Sequence, residues 1–117
     1  MEDKDKPKFI LSVNFYKSEN GSEPVRDWLR SMSKEETKII GEDIKTVQYG
    51  WPLGMPVVKK IEKELWEVRS KLHTTIARII FTLSDNMMIL LHGFIKKSQK
   101  IPKEDLEIAR HRKKKIN

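Results

Sequence analysis

Apolar and polar positions follow two different periods along the chain, and the change of period separates predicted helices from predicted strands. Residues 8–16 are rich in β-branched and aromatic side chains and end at turn-forming residues, so they predict a first strand. Apolar residues then recur every three or four positions, which predicts two amphipathic helices. Their buried faces are expected to be Val25, Trp28, Leu29 and Met32 in the first helix and Ile40, Ile44 and Val47 in the second.

Local signals mark where these helices begin and end. Ser22 can cap the first helix, and Pro24 fits its first turn. Ser33 and Glu36 have the spacing of a capping box for the second helix, which Gly50 ends. Because the link between the helices is short, we expect an antiparallel helical hairpin packed on a sheet.

Four further strands are predicted after residue 56, over residues 57–61, 64–70, 75–83 and 87–95. Residues 87–91 are apolar at every position, which is typical of a strand buried on both faces near the centre of a sheet. Residues 102–115 predict a terminal helix with acidic residues near its N-terminus and basic residues at its other end. The order of elements predicts an α+β fold with a twisted, mainly antiparallel sheet, as one domain over 1–117 with flexible ends at 1–7 and 114–117.

Composition indicates the kind of partner. The chain has 24 Lys and Arg against 17 Asp and Glu, a formal charge of +7, which favours a polyanion such as nucleic acid or an acidic protein. It contains no Cys, so it needs no oxidising compartment. The first residues lack an apolar signal segment, and no apolar run approaches a membrane span of about 20 residues. We therefore expect a cytoplasmic protein with no membrane partner.

The positive charge is concentrated near the C-terminus. Residues 92–117 hold nine Lys or Arg against three acids, which accounts for +6 of the +7. The ordinary interpretation of residues 113–115 is a solvated tail. A cluster of Lys96, Lys97 and Lys100 instead begins where a buried strand ends, so we expect these ammonium groups to project from a rigid sheet edge, as a phosphate site requires. The candidate RNA- or ribosome-binding residues are Lys100, Arg110, Arg112, Lys113, Lys114 and Lys115.

Two arginines interrupt otherwise apolar strands. Arg69 and Arg78 occupy positions that usually hold residues which can be buried unpaired. If their strands pair as a hairpin, alternation allows the two guanidinium groups to share a concave face with Lys96 or Lys97. The alternative is that either arginine forms an ordinary ion pair with Glu67 or Glu64.

The residue types exclude several chemistries and leave one. The three His are far apart without a carboxylate cluster, so neither a catalytic metal nor any other cofactor is expected. RNA carries its own nucleophile, the 2′-OH, and Arg69 and Arg78 suit the stabilisation of phosphorane charge. Lys96 and Lys97, crowded by other cations, are candidates for proton exchange. His92 is either an acid or base or a packed, hydrogen-bonded residue.

Three segments together resemble a known family. They are Leu-Trp-Glu-Val-Arg at 65–69, Ala-Arg-Ile-Ile-Phe at 77–81, and residues 90–102 with their Gly-Phe, paired Lys and Gln-Lys-x-Pro. Their order and spacing are similar to the phage-derived, HigB-like branch of the RelE/ParE toxin superfamily, over roughly residues 8–112. The resemblance implies a small RelE-like fold, and it matches Arg69, Arg78, Lys96 and Lys97 to the basic positions of the family's motifs. The chain lacks the Tyr that the best-studied RelE members carry on the terminal helix.

The resemblance also implies a function. RelE-like members are metal-independent mRNA endoribonucleases of type II toxin-antitoxin systems that act on the ribosome, so the expected partners are the ribosome, mRNA and a cognate antitoxin, by analogy a helix-turn-helix, HigA-like protein. Two alternatives remain open. The first is a ParE-like inhibitor of DNA gyrase, and the second is a non-enzymatic basic module that binds RNA or protein.

Overall fold

The computed structural model describes residues 10–54, 56–96 and 99–116, and its helices and strands follow the predicted order. In chain order they are β1 (Ser12–Phe15), α1 (Pro24–Arg30), α2 (Lys34–Gly50), β2 (Val58–Glu62), β3 (Leu65–Lys71), β4 (Ile76–Ser84), β5 (Met87–Lys96) and α3 (Lys103–Lys114). The α+β class is confirmed, and the bounds of β2 to β5 lie within one residue of the prediction. The first strand is shorter than predicted, and residues 8 and 9 of that prediction lie outside the described residues.

In the described part of the chain, five strands form one sheet in the order β1-β5-β4-β3-β2. Strand β1 runs parallel to β5, and every other neighbouring pair is antiparallel. The prediction of a mainly antiparallel sheet is therefore confirmed. The parallel contact arises because α1 and α2 intervene between β1 and the meander β2 to β5, and β1 is added at the free edge of β5.

Helices cover both faces of this sheet. Helices α1 and α2 pack on one face, where Val25, Ile40, Ile44 and Val47 join a core with Met88 and Leu90 of β5. Helix α3 packs on the other face, where Ala109 joins a second core with Ile89 and Leu91. Successive residues of β5 thus contribute to opposite cores, which confirms the prediction that this strand is buried on both faces.

The start of α2 agrees with the prediction, and the start of α1 does not. Ser33 Oγ accepts a hydrogen bond from the Glu36 amide at 3.1 Å, and the Ser33 amide donates to Glu36 Oε1 at 3.1 Å, so the capping box is confirmed. The predicted cap of α1 at Ser22 is wrong. Glu23 occupies that position without a side-chain hydrogen bond, and the Ser22 hydroxyl lies 2.7 Å from Ser18 Oγ instead.

Helix α1 approaches β5 closely at a glycine. A Cβ atom placed on Gly93 would lie 2.5 Å from Cε3 of the Trp28 ring, closer than any real contact. The absence of a side chain at this position lets the indole pack directly on the strand backbone. Among the described residues, no helix is both long and apolar enough to cross a membrane.

Candidate functional site

The structure places the two strand arginines directly opposite each other. Strands β3 and β4 pair in a register that aligns Arg69 with Arg78, and Phe94 of β5 aligns with Arg78 on its other side. Directly opposed residues of an antiparallel pair have Cβ atoms roughly 5 Å apart and point to the same face. Both arginine side chains therefore lie on the face of the sheet that α3 covers in part, near the turn that joins β3 and β4.

The two arginines differ in burial. The side chain of Arg78 is 1% exposed, and its Nη1 donates a hydrogen bond to the main-chain oxygen of Gln99 at 3.0 Å. The side chain of Arg69 is 12% exposed and lines an open cleft of about 460 Å³. The cleft is also lined by Lys71, Ile76 and Gln99. Arg69 is therefore the arginine that reaches the surface, and Arg78 lies beneath it.

A buried carboxyl group lies beside this pair. Glu67 is 1% exposed, and its Oε1 is 3.9 Å from Arg69 Nε, at the outer limit of an ion pair. Its Oε2 has no hydrogen-bond partner within the described residues. Burial raises the pKa of Glu67, and the positive charges of Arg78, Arg69 and Lys59 oppose that rise. The register accounts for Lys59, which faces Glu67 from β2.

Sequence reasoning considered Glu67 only as an ordinary ion-pair partner and missed its place in the candidate site. The signal was present in the alternation of β3, because Glu67 and Arg69 are two positions apart and so share a face. What the alternation does not show is that the carboxyl group is buried.

The predicted lysine cluster is placed in part. Lys96 ends β5 and aligns with Ile76, the first residue of β4, so its backbone lies at the same end of the sheet as the two arginines. Lys97 lies outside the described residues. Lys100 is exposed. The backbone of Lys96 is therefore near Arg69 and Arg78, and the projection of the lysine ammonium groups from this end of the sheet stays a prediction.

His92 is held by the terminal helix. Its Nε2 lies 2.6 Å from Oδ1 of Asp105, in the first turn of α3, and both side chains are 15% exposed. The imidazole also stacks on Phe94, with ring centroids 5.6 Å apart. A carboxylate in this position fixes the orientation of the ring. The expectation of a packed, hydrogen-bonded histidine agrees with this geometry.

Several cations of α3 are paired within the molecule. Arg110 donates to both carboxylate oxygens of Glu62, at 2.7 and 3.0 Å. Lys113 lies 2.8 Å from Glu64, and Lys115 lies 3.4 Å from Glu19. The hydrogen bonds from Arg110 and from Lys113 lower the pKa values of Glu62 and Glu64 respectively. Lys113 and Lys115 are thus ion-paired rather than freely solvated, and only Lys114 of this run is exposed without a described partner.

Arg112 has a different environment. Its Nη1 donates to the main-chain oxygen of Leu91 at 2.7 Å, and its guanidinium lies 5.6 Å from the centre of the Tyr16 ring. Burial lowers the pKa of Arg112. No Asp, Glu, His or Cys group of the size needed to hold a metal ion occurs among the described residues.

Comparison with known proteins identifies a family. A family model described as "Phage derived protein Gp49-like (DUF891)" matches residues 27–114, well over half of the chain. The matched region runs from within α1 to the end of α3 and includes Glu67, Arg69, Arg78 and His92. No curated protein matches the sequence.

Proposed function

The chain belongs to the family of Gp49-like phage-derived proteins, and from this membership we propose that it is a ribosome-dependent mRNA endoribonuclease. The family is related to the RelE-like toxins of toxin-antitoxin systems. The family implies an antitoxin partner. The proposal adds that the chain belongs to the HigB-like branch and that the antitoxin is a helix-turn-helix, HigA-like protein.

The observation that carries the proposal is the opposed pair Arg69 and Arg78, one at the surface and one beneath it. A guanidinium group keeps its proton at any physiological pH and grips two phosphate oxygens at once. In the proposed site, Arg69 contacts the scissile phosphate from the cleft. Arg78, fixed by the carbonyl of Gln99, adds positive potential below it. Low exposure to water strengthens both effects.

The proposed reaction uses the 2′-OH of the RNA as nucleophile. Its oxygen forms a bond to phosphorus while the bond from phosphorus to the 5′-oxygen breaks. One group must accept the 2′ proton and another must protonate the leaving 5′-oxygen. We assign these transfers to Lys96, Lys97 and His92, of which His92 has the oriented ring. The products are a 2′,3′-cyclic phosphate and a 5′-OH, and no metal or other cofactor takes part.

Ribosome contact is assigned to the basic residues of the C-terminal region. The set comprises Lys100, Arg110, Arg112, Lys113, Lys114 and Lys115. Because Arg110, Lys113 and Lys115 already have carboxylate partners, their attraction for RNA phosphate is partly neutralised. Lys114 is exposed and has no carboxylate partner among the described residues, so we expect the larger contribution to ribosome binding from it.

The test is a translation extract programmed with a defined mRNA, with and without the purified chain. The proposal expects mRNA cleavage only when the message is being translated. A parallel assay of DNA gyrase supercoiling is expected to show no inhibition. Gyrase inhibition with intact mRNA would replace the proposal by the ParE-like alternative, and salt-sensitive RNA binding with neither effect would replace it by the binding-module alternative.

A further inference from the structure

A second concave surface lies at the opposite edge of the sheet from β2. It is a pocket of about 480 Å³ between the loop that joins β1 to α1 and the last turns of α3. Tyr16, Ser18 and Ser22 line one side, and His111, Arg112 and Lys115 line the other. Strands β5 and β4 separate β1 from the strand that carries Arg69, so this pocket is distinct from the cleft at Arg69.

Arg112 is a partly buried charge for which the described residues supply no carboxylate partner. Its neighbours in sequence Arg110, Lys113 and Lys115 each have a carboxylate partner, whereas no described residue places a carboxylate within 4 Å of Arg112. Partly buried charges in proteins are normally paired, because desolvation without a counter-charge is unfavourable. A guanidinium has five N–H donors, and the Leu91 carbonyl accepts from one nitrogen. Donors therefore remain for an external anion.

The facing loop presents hydroxyl groups in a fixed arrangement. The Ser18 amide donates to the main-chain oxygen of Ser22 at 2.8 Å, and the Gly21 amide donates to the main-chain oxygen of Ser18 at 2.9 Å. Gly21 has a φ of 91°, a conformation that favours glycine. The hydroxyls of Ser18 and Ser22 lie 2.7 Å apart on the pocket wall. The Ser18 hydroxyl donates its proton to Asn20 Oδ1, so the Ser22 hydroxyl is the donor that can turn toward a phosphate oxygen beside the guanidinium.

One acidic residue also lines the pocket. Glu19 lies 3.4 Å from Lys115, and its side chain is 86% exposed. Glu19 and Lys115 therefore offset each other at the rim, and the net charge that faces the pocket comes from Arg112, with His111 adding charge when it is protonated.

We propose that this pocket binds a phosphate group through Arg112 and the hydroxyl of Ser22. The phosphodiester of an RNA backbone is the source that we assign, and only this source depends on the proposed function. The site is then an anchor that holds RNA at a distance from the scissile phosphate, on the β1 side of α3.

The first experiment measures phosphate binding directly on the full chain. Inorganic phosphate is titrated against chloride of equal ionic strength, while amide and guanidinium nitrogen–proton signals are followed by NMR. We expect shifts at Ser22 and at Arg112 Nε that saturate. Arg112→Gln is expected to lower the affinity about tenfold or more, since charge-assisted hydrogen bonds are lost. Lys103→Gln removes the same charge from an exposed position of the same helix and is expected to bind like the parent.

Absence of saturable shifts in the parent, or equal loss in both variants, would overturn the site. If Arg112→Gln fails to fold because the Leu91 contact is lost, Ser22→Asp decides, since it places a carboxylate in the pocket and is expected to abolish phosphate binding in a folded protein. Ser22→Asp that binds phosphate normally would overturn the site.

A trinucleotide of uridines resolves the source of the phosphate. It is expected to compete with inorganic phosphate for the same signals, and phosphate binding without such competition would exclude the RNA backbone as the source. Neither readout requires cleavage, so a failed nuclease assay and a failed phosphate site are distinguishable.

Discussion

Replacing Gly93 by alanine is expected to separate α1 from the strand that leads into the candidate site. The added Cβ would lie 2.5 and 2.6 Å from two carbons of the Trp28 ring, so either the ring or the helix that carries it must shift. Overpacking of this kind costs about 1–3 kcal/mol. For a chain of 117 residues that range corresponds to a fall in Tm of about 4–12 °C.

Urea denaturation followed by circular dichroism measures this free energy, and the chain offers a matched control. Gly41 lies in α2, and a methyl group added there would have nothing within 4 Å, so Gly41→Ala is expected to stabilise the helix by about 0.5–1 kcal/mol. In a Trp28→Leu background, the cost of Gly93→Ala is expected to shrink, because the clashing ring atoms are gone. A Gly93→Ala protein as stable as the parent would refute the close packing of α1 on β5.

Three further predictions concern the charged residues. The pKa of Glu67 is raised, so the stability that its protonated form contributes is full below the ordinary pKa of 4.5 and is lost as the pH rises through the raised pKa. In urea titrations over that pH window, the parent is expected to lose stability relative to Glu67→Gln. Parallel pH profiles of the two proteins would contradict this. Arg78→Gln is expected to destabilise the fold by about 1.5–3 kcal/mol through loss of a charged hydrogen bond, and Arg69→Gln is expected to destabilise it less. Urea denaturation that shows the larger loss of stability in Arg69→Gln would refute the assigned burial. Lys114→Gln is expected to reduce the slope of log affinity for the ribosome against log salt concentration by about 0.7–0.9. Lys113→Gln is expected to reduce this slope by less, because Lys113 already pairs with Glu64. Equal slopes for the two variants would contradict this difference.

The sequence predicts the elements of this fold well because its periods are strong. The apolar run of β5 and the capping box at Ser33 both specify their structures through neighbouring residues alone. The facing of Arg69 and Arg78 also follows from local rules, because strand alternation and a short turn leave few registers. The parallel contact of β1 with β5 does not follow, since it joins segments that are far apart along the chain.

The environments of the site residues depend on such distant contacts and could not be predicted. Nothing in β4 indicates that Arg78 is covered, because the covering carbonyl belongs to Gln99, after the next strand. The ion pairs of Lys113 and Lys115 with Glu64 and Glu19 likewise join separate elements. Charge counting along the sequence therefore gave the terminal helix more free positive charge than the fold leaves it.

The most direct test of the central proposal is the rate of mRNA cleavage at saturating ribosomes, with the chemistry of the new RNA ends determined. The parent is expected to leave a 2′,3′-cyclic phosphate and a 5′-OH. Arg69→Gln is expected to form the same products about a hundredfold more slowly or worse, since a charge-stabilising contact is removed. Arg30→Gln, an exposed position on α1, is expected to match the parent. A folded Arg69→Gln protein that cleaves at the parent rate would contradict the proposed site, and 5′-phosphate ends would contradict the proposed chemistry.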